Sequence, residues 1–361
     1  MVRELTRDLV AIPSHENETA AGDRIEEWLR EHTGAAVERD DRGNVIARRG
    51  PASGDSDTPS LAFVGHHDVV PPDDSQVTGA EYVLEEREGR LYGRGSADMK
   101  GAVAAAMVAF RDAEELACEL VFVSFVGEEQ GGIGARAAIE EGFAPDYAVV
   151  GEGSTGYSGP GVTDVAVAHK GRRGSTIVAE GTGAHASEPE AGENAIYRAT
   201  DAVDAVREMD FPETAVLGRE VRGSLVATEI EGGTAWNVIP GRCTVTVDER
   251  TVPGERAPLQ RVEEIPGVTW ELDQDLPPMQ CDDLEFADLV LAAAREAQQG
   301  SPEHVVKPHA TDAGWLARAG TACVVCGPAE PGEAHTASES VSWDVLDRCE
   351  RLYRTVAERF G

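Results

Sequence analysis

The sequence predicts an α/β protein whose mostly parallel sheet is built from both ends of the chain, around an inserted α+β segment. Short β-like runs alternate with helical periodicity as far as Val150. Near Lys170 the texture changes to longer alternating strands, and helical periodicity returns at Leu284. A chain of 361 residues also exceeds the size at which one core stops growing, so two domains are expected.

Residues 3–12 and 18–32 carry apolar side chains at helical spacing, as in Ile25, Trp28 and Leu29. Strands are predicted at Asn44–Ala47, Ser60–Val64, Glu119–Val126 and Asp146–Val150. Between the second and third of these, Gly101–Glu115 is alanine-rich and free of proline, the pattern of a buried helix. In sheets of this kind the chemistry gathers at the carboxyl ends of the strands. Past Lys170, strands are predicted at Thr176–Glu180, Ser224–Glu231 and Arg242–Arg250, with a helix at Asn194–Met209. A helix at Leu284–Gln298, a strand at Ala322–Cys326 and a helix at Val341–Phe360 complete the series. The expected boundaries are 1–170 and 280–361 for the first domain and 171–279 for the insert.

Charge excludes several classes of partner. There are 66 acidic against 32 basic residues, a formal charge of -34, and Lys100, Lys170 and Lys307 are the only lysines. Such a surface repels nucleic acid and anionic lipid. The acids are spread between well-patterned apolar segments, which argues for a folded chain rather than a disordered one. A high-salt cytoplasm that screens the self-repulsion, and hence a halophilic source, is the expectation. The first residues, MVRELTRDLVAIPS, lack the apolar run of a signal peptide, and no stretch approaches a membrane span. Six scattered cysteines fit a reduced, cytoplasmic protein.

Five acid or imidazole positions stand out, each expected just after a strand. Gly65-His66-His67-Asp68 follows LAFVG, and in extended chain His66 and Asp68 point to the same side. One can then bind a metal while the other orients its ring. Asp98 lies in GRGSADMKG, a glycine-rich turn ahead of the alanine-rich helix. Glu128 and Glu129 end the Glu119 strand, Glu152 follows DYAVVG, and His335 lies in GEAHTASES. Two imidazoles with several carboxylates suit zinc. Two such ions, joined by a carboxylate and a bridging water, make hydroxide near neutral pH, and a remaining glutamate can serve as general base.

GHHDVVPP, GRGSADMKG, GEEQGG, GEGS and AHTASES together resemble the family that contains succinyl-diaminopimelate desuccinylase, acetylornithine deacetylase, aminoacylase and carboxypeptidase G. The resemblance implies two Zn2+ ions, with Co2+ as a substitute, bridged by Asp98. It implies that His66 and Glu152 complete one site, and Glu129 and His335 the other. Glu128 would be the base, Asp68 would orient His66, and His67 would be no ligand. A cis peptide is implied between Asp98 and Met99. The insert would be a lid and dimerisation domain of a homodimer. In GTGAHASEP, His185 would reach the developing oxyanion of the partner subunit's site, and Asn237 in WNVIPG would help hold substrate.

The same resemblance points to hydrolysis of the amide bond in a small N-acylated amino acid. N-succinyl-diaminopimelate is the first-ranked substrate, followed by N-acetylornithine or an acyl-lysine, and then by dipeptides. Glu152 favours the deacylase branches, because several aminopeptidase branches carry aspartate there. Arg173 and Arg250 match substrate-binding arginines of the desuccinylase branch, and the alternative for both is an ordinary surface charge. Thr311-Asp312-Ala313-Gly314 departs from the family's Thr-Asp-Ala-Arg, so one carboxylate-binding arginine is missing. Gly151–Gly156 formally matches G-x-G-x-x-G, but the Gly- and Pro-rich YSGPGVTD follows where a helix is required. Cys323-Val-Val-Cys326 lies in a β-like run and reads as buried cysteine.

Overall fold

The computed structural model describes residues 1–52 and 58–361. The chain divides into two compact units. The first comprises Met1–Ala168, Met279–Lys307 and Thr311–Gly361; the second comprises His169–Pro278 and Pro308–Ala310.

A mixed sheet of nine strands forms the middle of the first unit. Its order is Ala36–Arg39, Val45–Arg49, Glu119–Phe125, Ser60–His66, Tyr147–Val150, Ala322–Val325, Val165–His169 and Met279–Gln280, with His304–Lys307 beside Val165–His169. The four strands from Glu119–Phe125 to Ala322–Val325 are parallel. Their flanking neighbours pair antiparallel. Ser60–His66 and Glu119–Phe125 are buried at every position, which explains their continuous apolar runs. Val165–His169 was not foreseen, because VAVAH is a short run behind the Gly- and Pro-rich segment 156–164.

Helix Gly101–Asp112 is buried at every residue from Gly101 to Phe110, so its apolar side chains encircle it. Helix Trp343–Arg359 buries Leu346, Cys349, Leu352, Tyr353 and Val356 on one stripe. Its Tyr353 hydroxyl donates to the Cys326 carbonyl at 2.6 Å, and its ring lies 5.5 Å from that of Phe63. These contacts tie the end of the chain onto the parallel strands.

The second unit is a four-stranded antiparallel sheet in the order Ser224–Gly232, Arg242–Thr251, Gly171–Glu180 and Val268–Leu276. Helix Ala195–Glu208 packs Ala195, Ala199, Ala202 and Val206 against Ile177, Ala179, Val245 and Val247. Arg242–Thr251 alternates between buried and half-buried positions, the period-2 pattern its sequence predicts. Val268–Leu276 escaped prediction because its exposed face carries Glu271, Asp273 and Asp275, which mask the period.

Candidate metal centre

Parallel register brings three of the sequence motifs to one edge of the sheet. His66 is the last residue of its strand and pairs with Phe125, so Glu128 and Glu129 emerge beside it. Val64 pairs with Val150 on the other side, which brings Glu152 to the same edge. Asp98 arrives differently, from the turn Ser96–Lys100 that precedes the buried helix, and the Asp98–Met99 peptide is cis. Met99 sits under that turn, packed against two glycines: a Cβ on Gly65 would meet Val103 Cγ2 at 2.8 Å and Met99 Cε at 3.1 Å, and one on Gly151 would meet Met99 Cε at 3.0 Å. His335 lies between Ala322–Val325 and Ser340–Ser342, on a loop where its own φ is 64°.

Asp98 faces both imidazoles. His66 Nε2 lies 3.1 Å from Asp98 Oδ1 and 3.4 Å from Glu152 Oε1. His335 Nε2 lies 3.2 Å from Asp98 Oδ2 and 3.0 Å from Glu129 Oε1. Each carboxylate oxygen of Asp98 therefore looks toward a different histidine, and each histidine has a second carboxylate beside it. Donor atoms of His66, Asp98 and Glu129 all fall within 4.8 Å of one another, as do those of His66, Glu128 and Glu152. Behind His66, Asp68 approaches Nδ1 at 3.3 Å through Oδ1 and at 3.0 Å through its own carbonyl. Asp68 also accepts from the backbone N–H of Glu128 and of Glu129, at 3.1 and 3.0 Å. One carboxylate thus orients the imidazole and the glutamate pair together. His67 turns away into the core, with Nδ1 2.8 Å from Ser124 Oγ.

Electrostatics follow from this crowding. Burial pushes the His66 imidazole down, but Asp68, Asp98 and Glu152 outweigh it and hold its pKa well above that of an ordinary histidine. Asp98 and Glu129 push His335 up to about 10. Burial alone would raise the Asp98 carboxyl, yet His335 and His66 hold it below the usual carboxylate range. Glu128 goes the other way. Burial first, and the neighbouring Asp312 second, lift its carboxyl well above an ordinary glutamate. Burial likewise pushes Asp312 to about 8, and both its oxygens are buried without a hydrogen-bond partner. Nitrogen and oxygen donors with so large an excess of carboxylates suit divalent cations in adjacent sites.

Other expected site residues lie on the second unit. His185 is exposed, with Nδ1 2.6 Å from Ser187 Oγ, and it pairs with Val238 across a two-stranded ladder. Asn237 joins the same ladder through its carbonyl, which accepts from Ala186 N–H at 3.0 Å. The fold thus brings together two residues far apart in sequence. Arg173, expected on a substrate carboxylate or at the surface, is instead buried in an ion pair with Glu249 at 3.0 Å and stacks over Trp270. Arg250 donates to Asp248 Oδ1 at 2.7 Å, and Arg172 takes the other oxygen of the same carboxylate.

Sequence reading missed several companions of the centre. Lys307 donates to the Gly153 carbonyl at 2.9 Å and lies 3.6 Å from Glu152 Oε2. Asp312 was noticed only for the arginine that does not follow it. Arg94 and Glu339, a buried pair, gave no signal beyond lying inside two of the motifs. The glycine-rich Gly151–Gly156 is followed by the strand Val165–His169 and no helix, as its Gly/Pro content required. Cys323 and Cys326 are buried and free.

An α/β unit with paired histidine–carboxylate clusters at the strand ends defines a metal-dependent amidohydrolase. The chain belongs to the peptidase family M20/M25/M40, whose profile matches residues 62–359. Acetylornithine deacetylase of Myxococcus xanthus is 32% identical over 357 residues, covering 92% of this chain and 90% of that one. Acetylornithine deacetylase of Proteus mirabilis is 28% identical, covering 99% and 96%. Among solved structures, aminopeptidase PepT of Bacillus cereus superposes with a TM-score of 0.80 at 20% identity, covering 99% of this chain and 97% of that one. A dinuclear metal-binding peptidase of the same family from Bacillus subtilis gives 0.70 at 17% identity, with 99% and 96% covered. At these identities the two structures speak for the fold, in agreement with the α/β class expected from sequence.

Proposed function

We propose that this amidohydrolase is a two-zinc deacylase that hydrolyses N-acetylornithine or a closely related N-acyl diamino acid. The observation that carries the chemistry is the division of Asp98, one oxygen toward His66 and Glu152, the other toward His335 and Glu129. Those five side chains would hold the ions. When bound, the ions supply Lewis-acid polarisation of the scissile carbonyl and acidify the attacking water. Glu128, which offers an oxygen within 4.8 Å of donor atoms on His66 and Glu152, would take a proton from that water and return it to the departing amine. The C–N bond breaks, and the products are the short carboxylic acid and the free amino acid. Asp68 keeps the His66 ring fixed throughout.

The two acetylornithine deacetylases favour the acetyl substrate over N-succinyl-diaminopimelate, the first choice from sequence, which neither of them supports. The engagement of Arg173 with Glu249 weakens the succinyl reading further, since it occupies an arginine that reading needed. Amine release from a panel of N-acetylornithine, N-succinyl-diaminopimelate, N-acetyl-amino acids and dipeptides, with zinc, decides the matter. The expected result is preference for N-acetylornithine. Preference for dipeptides would place the chain among the peptidases. The acid-rich surface supports a cytoplasm of high salt, so rates on the panel are expected to rise with added KCl.

We further propose that the second unit is a lid and dimerisation domain. Ser224–Gly232 is one of the two edge strands of its sheet and exposes Val226 and Ile230 at 52% and 54%, a surface suited to a second copy. His185 then serves the oxyanion of the partner's site. A donor aimed at such a charge contributes about 2.7–4 kcal/mol, so His185→Ala should lower kcat by roughly 10²–10³-fold with metal content unchanged. Mixing His185→Ala with Glu128→Gln and allowing subunit exchange should restore activity that neither has alone. No recovery, in a mixture that does exchange, would remove His185 from the partner's site.

A further inference from the structure

We infer that Glu339 is a positioning residue that fixes the backbone of Asp98 and couples it to the loop bearing His335, an inference that rests on Asp98 being a metal ligand. Glu339 is 1% exposed, and its carboxylate is shared between two tasks. Oε1 accepts from the backbone N–H of Ala97 at 3.0 Å and of Asp98 at 3.1 Å. Oε2 accepts from Arg94 Nη1 at 2.5 Å, while Arg94 Nη2 reaches the Pro71 carbonyl at 3.3 Å. The turn that presents Asp98 is thus held at two consecutive N–H groups by one side chain from the far end of the chain.

The backbone of Glu339 closes the connection. Its carbonyl accepts from Gly93 N–H at 3.1 Å, and its N–H donates to the Thr336 carbonyl at 3.3 Å, one residue beyond His335. Ser340–Ser342 pairs antiparallel with Arg90–Tyr92. Arg90 staples both ends of the His335 loop: its guanidinium reaches Glu330 and Glu333 on one side, and Ser340 Oγ at 3.0 Å on the other. Gln76 adds a bond to the Thr336 carbonyl at 3.1 Å. Asp98 and His335, 3.2 Å apart at their tips, are therefore tied together through Glu339 from behind as well. Rotation of the Ala97–Asp98 peptide would swing both carboxylate oxygens, one off each imidazole. A carboxylate accepting from the N–H of that peptide and from the N–H of the one before it prevents it.

The charge on Glu339 serves Arg94, whereas the hydrogen bonds to the turn need only an oxygen at the right place. Zn2+ affinity of the full chain, measured by competition with a chromophoric chelator, separates the two, with melting of the metal-free chain followed in parallel. Glu339→Gln retains an oxygen for both amides and should bind zinc within about threefold of the wild type. Glu339→Asp keeps the charge but falls short of the amides, and should lose about 10–100-fold, the usual effect of removing a support behind a ligand. The double variant Glu339→Met with Arg94→Met, which removes the arginine together with its carboxylate, should lose as much. Wild-type affinity in the Asp variant, or an equal loss in the Gln variant, would overturn the assignment. Asp98→Ala is run beside them: if it binds zinc like the wild type, the ligand reading itself fails, independently of Glu339.

Discussion

Glu128→Gln is expected to lower kcat by about 10²–10⁴-fold while both metal ions stay bound. The substitution keeps the size of the side chain and removes only its capacity to take up a proton. One contact separates Glu128 from the neighbouring Glu129. Glu129 is engaged by His335 at 3.0 Å, while burial raises both its carboxyl and that of Glu128. A Glu128 oxygen lies within 4.8 Å of donor atoms on His66 and Glu152, as one of Glu129 does of those on His66 and Asp98, so both face the same space. Asp68 accepts the backbone N–H of each, at 3.1 and 3.0 Å, and fixes the angle of both. Glu129→Gln supplies the contrast, and should lose metal together with activity. Metal content by atomic absorption, read beside kcat, distinguishes the pair. A Glu128→Gln enzyme that turns over like the wild type, or that has lost an ion, would remove the base assignment.

Much of the first unit was legible because its strands and helices each answer to one strong period. The fully buried strands Ser60–His66 and Glu119–Phe125 read as unbroken apolar runs, and their parallel pairing made His66, Glu128, Glu129 and Glu152 neighbours. Short elements without such a signal were lost. Helix Ile133–Glu140 begins behind two glycines in left-handed conformation and contains a third, so its periodicity never shows. In the second unit, acids on Val268–Leu276 hid a strand that the sheet requires. At the site, ligand-type residues announced themselves by position, but the side chains that hold them did not. Glu339 and Arg94 come from opposite ends of the first unit, and nothing in either stretch says that they meet. The same applies to Arg173 and Glu249, neighbours across two strands, whose buried pairing no motif announced. Local pattern specifies which residues face inward, whereas mutual satisfaction of buried charges is decided only by the assembled fold.

Asp98→Ala should be the more damaging of the metal-site substitutions, since it removes the one residue common to both clusters. Loss of Glu152 or of Glu129 leaves Asp98 with a histidine on each side, so one position stays nearly intact. Loss of Asp98 leaves His66 with Glu152 and His335 with Glu129, two donors apiece, below the three protein ligands that catalytic zinc sites ordinarily keep. Metal content is therefore expected to fall from two ions toward none, and activity by more than about 10³-fold, at or beyond the loss of a general base. Chelation of the wild type should reproduce the loss, and zinc or cobalt should reverse it. Ligand binding also stabilises the folded chain: zinc at ~100 times its Kd contributes about 2.7 kcal/mol. Zinc should thus raise the Tm of the metal-free wild type and leave that of Asp98→Ala where it was. The sign of that second effect is informative. In the metal-free chain Asp98 is the carboxylate that both imidazoles share, so its removal takes a partner from His66 and from His335. The variant should start from a lower Tm and gain nothing from metal. A variant that still takes up two ions and is stabilised by them would show that the clusters do not depend on a shared carboxylate, and the bridging role would fall.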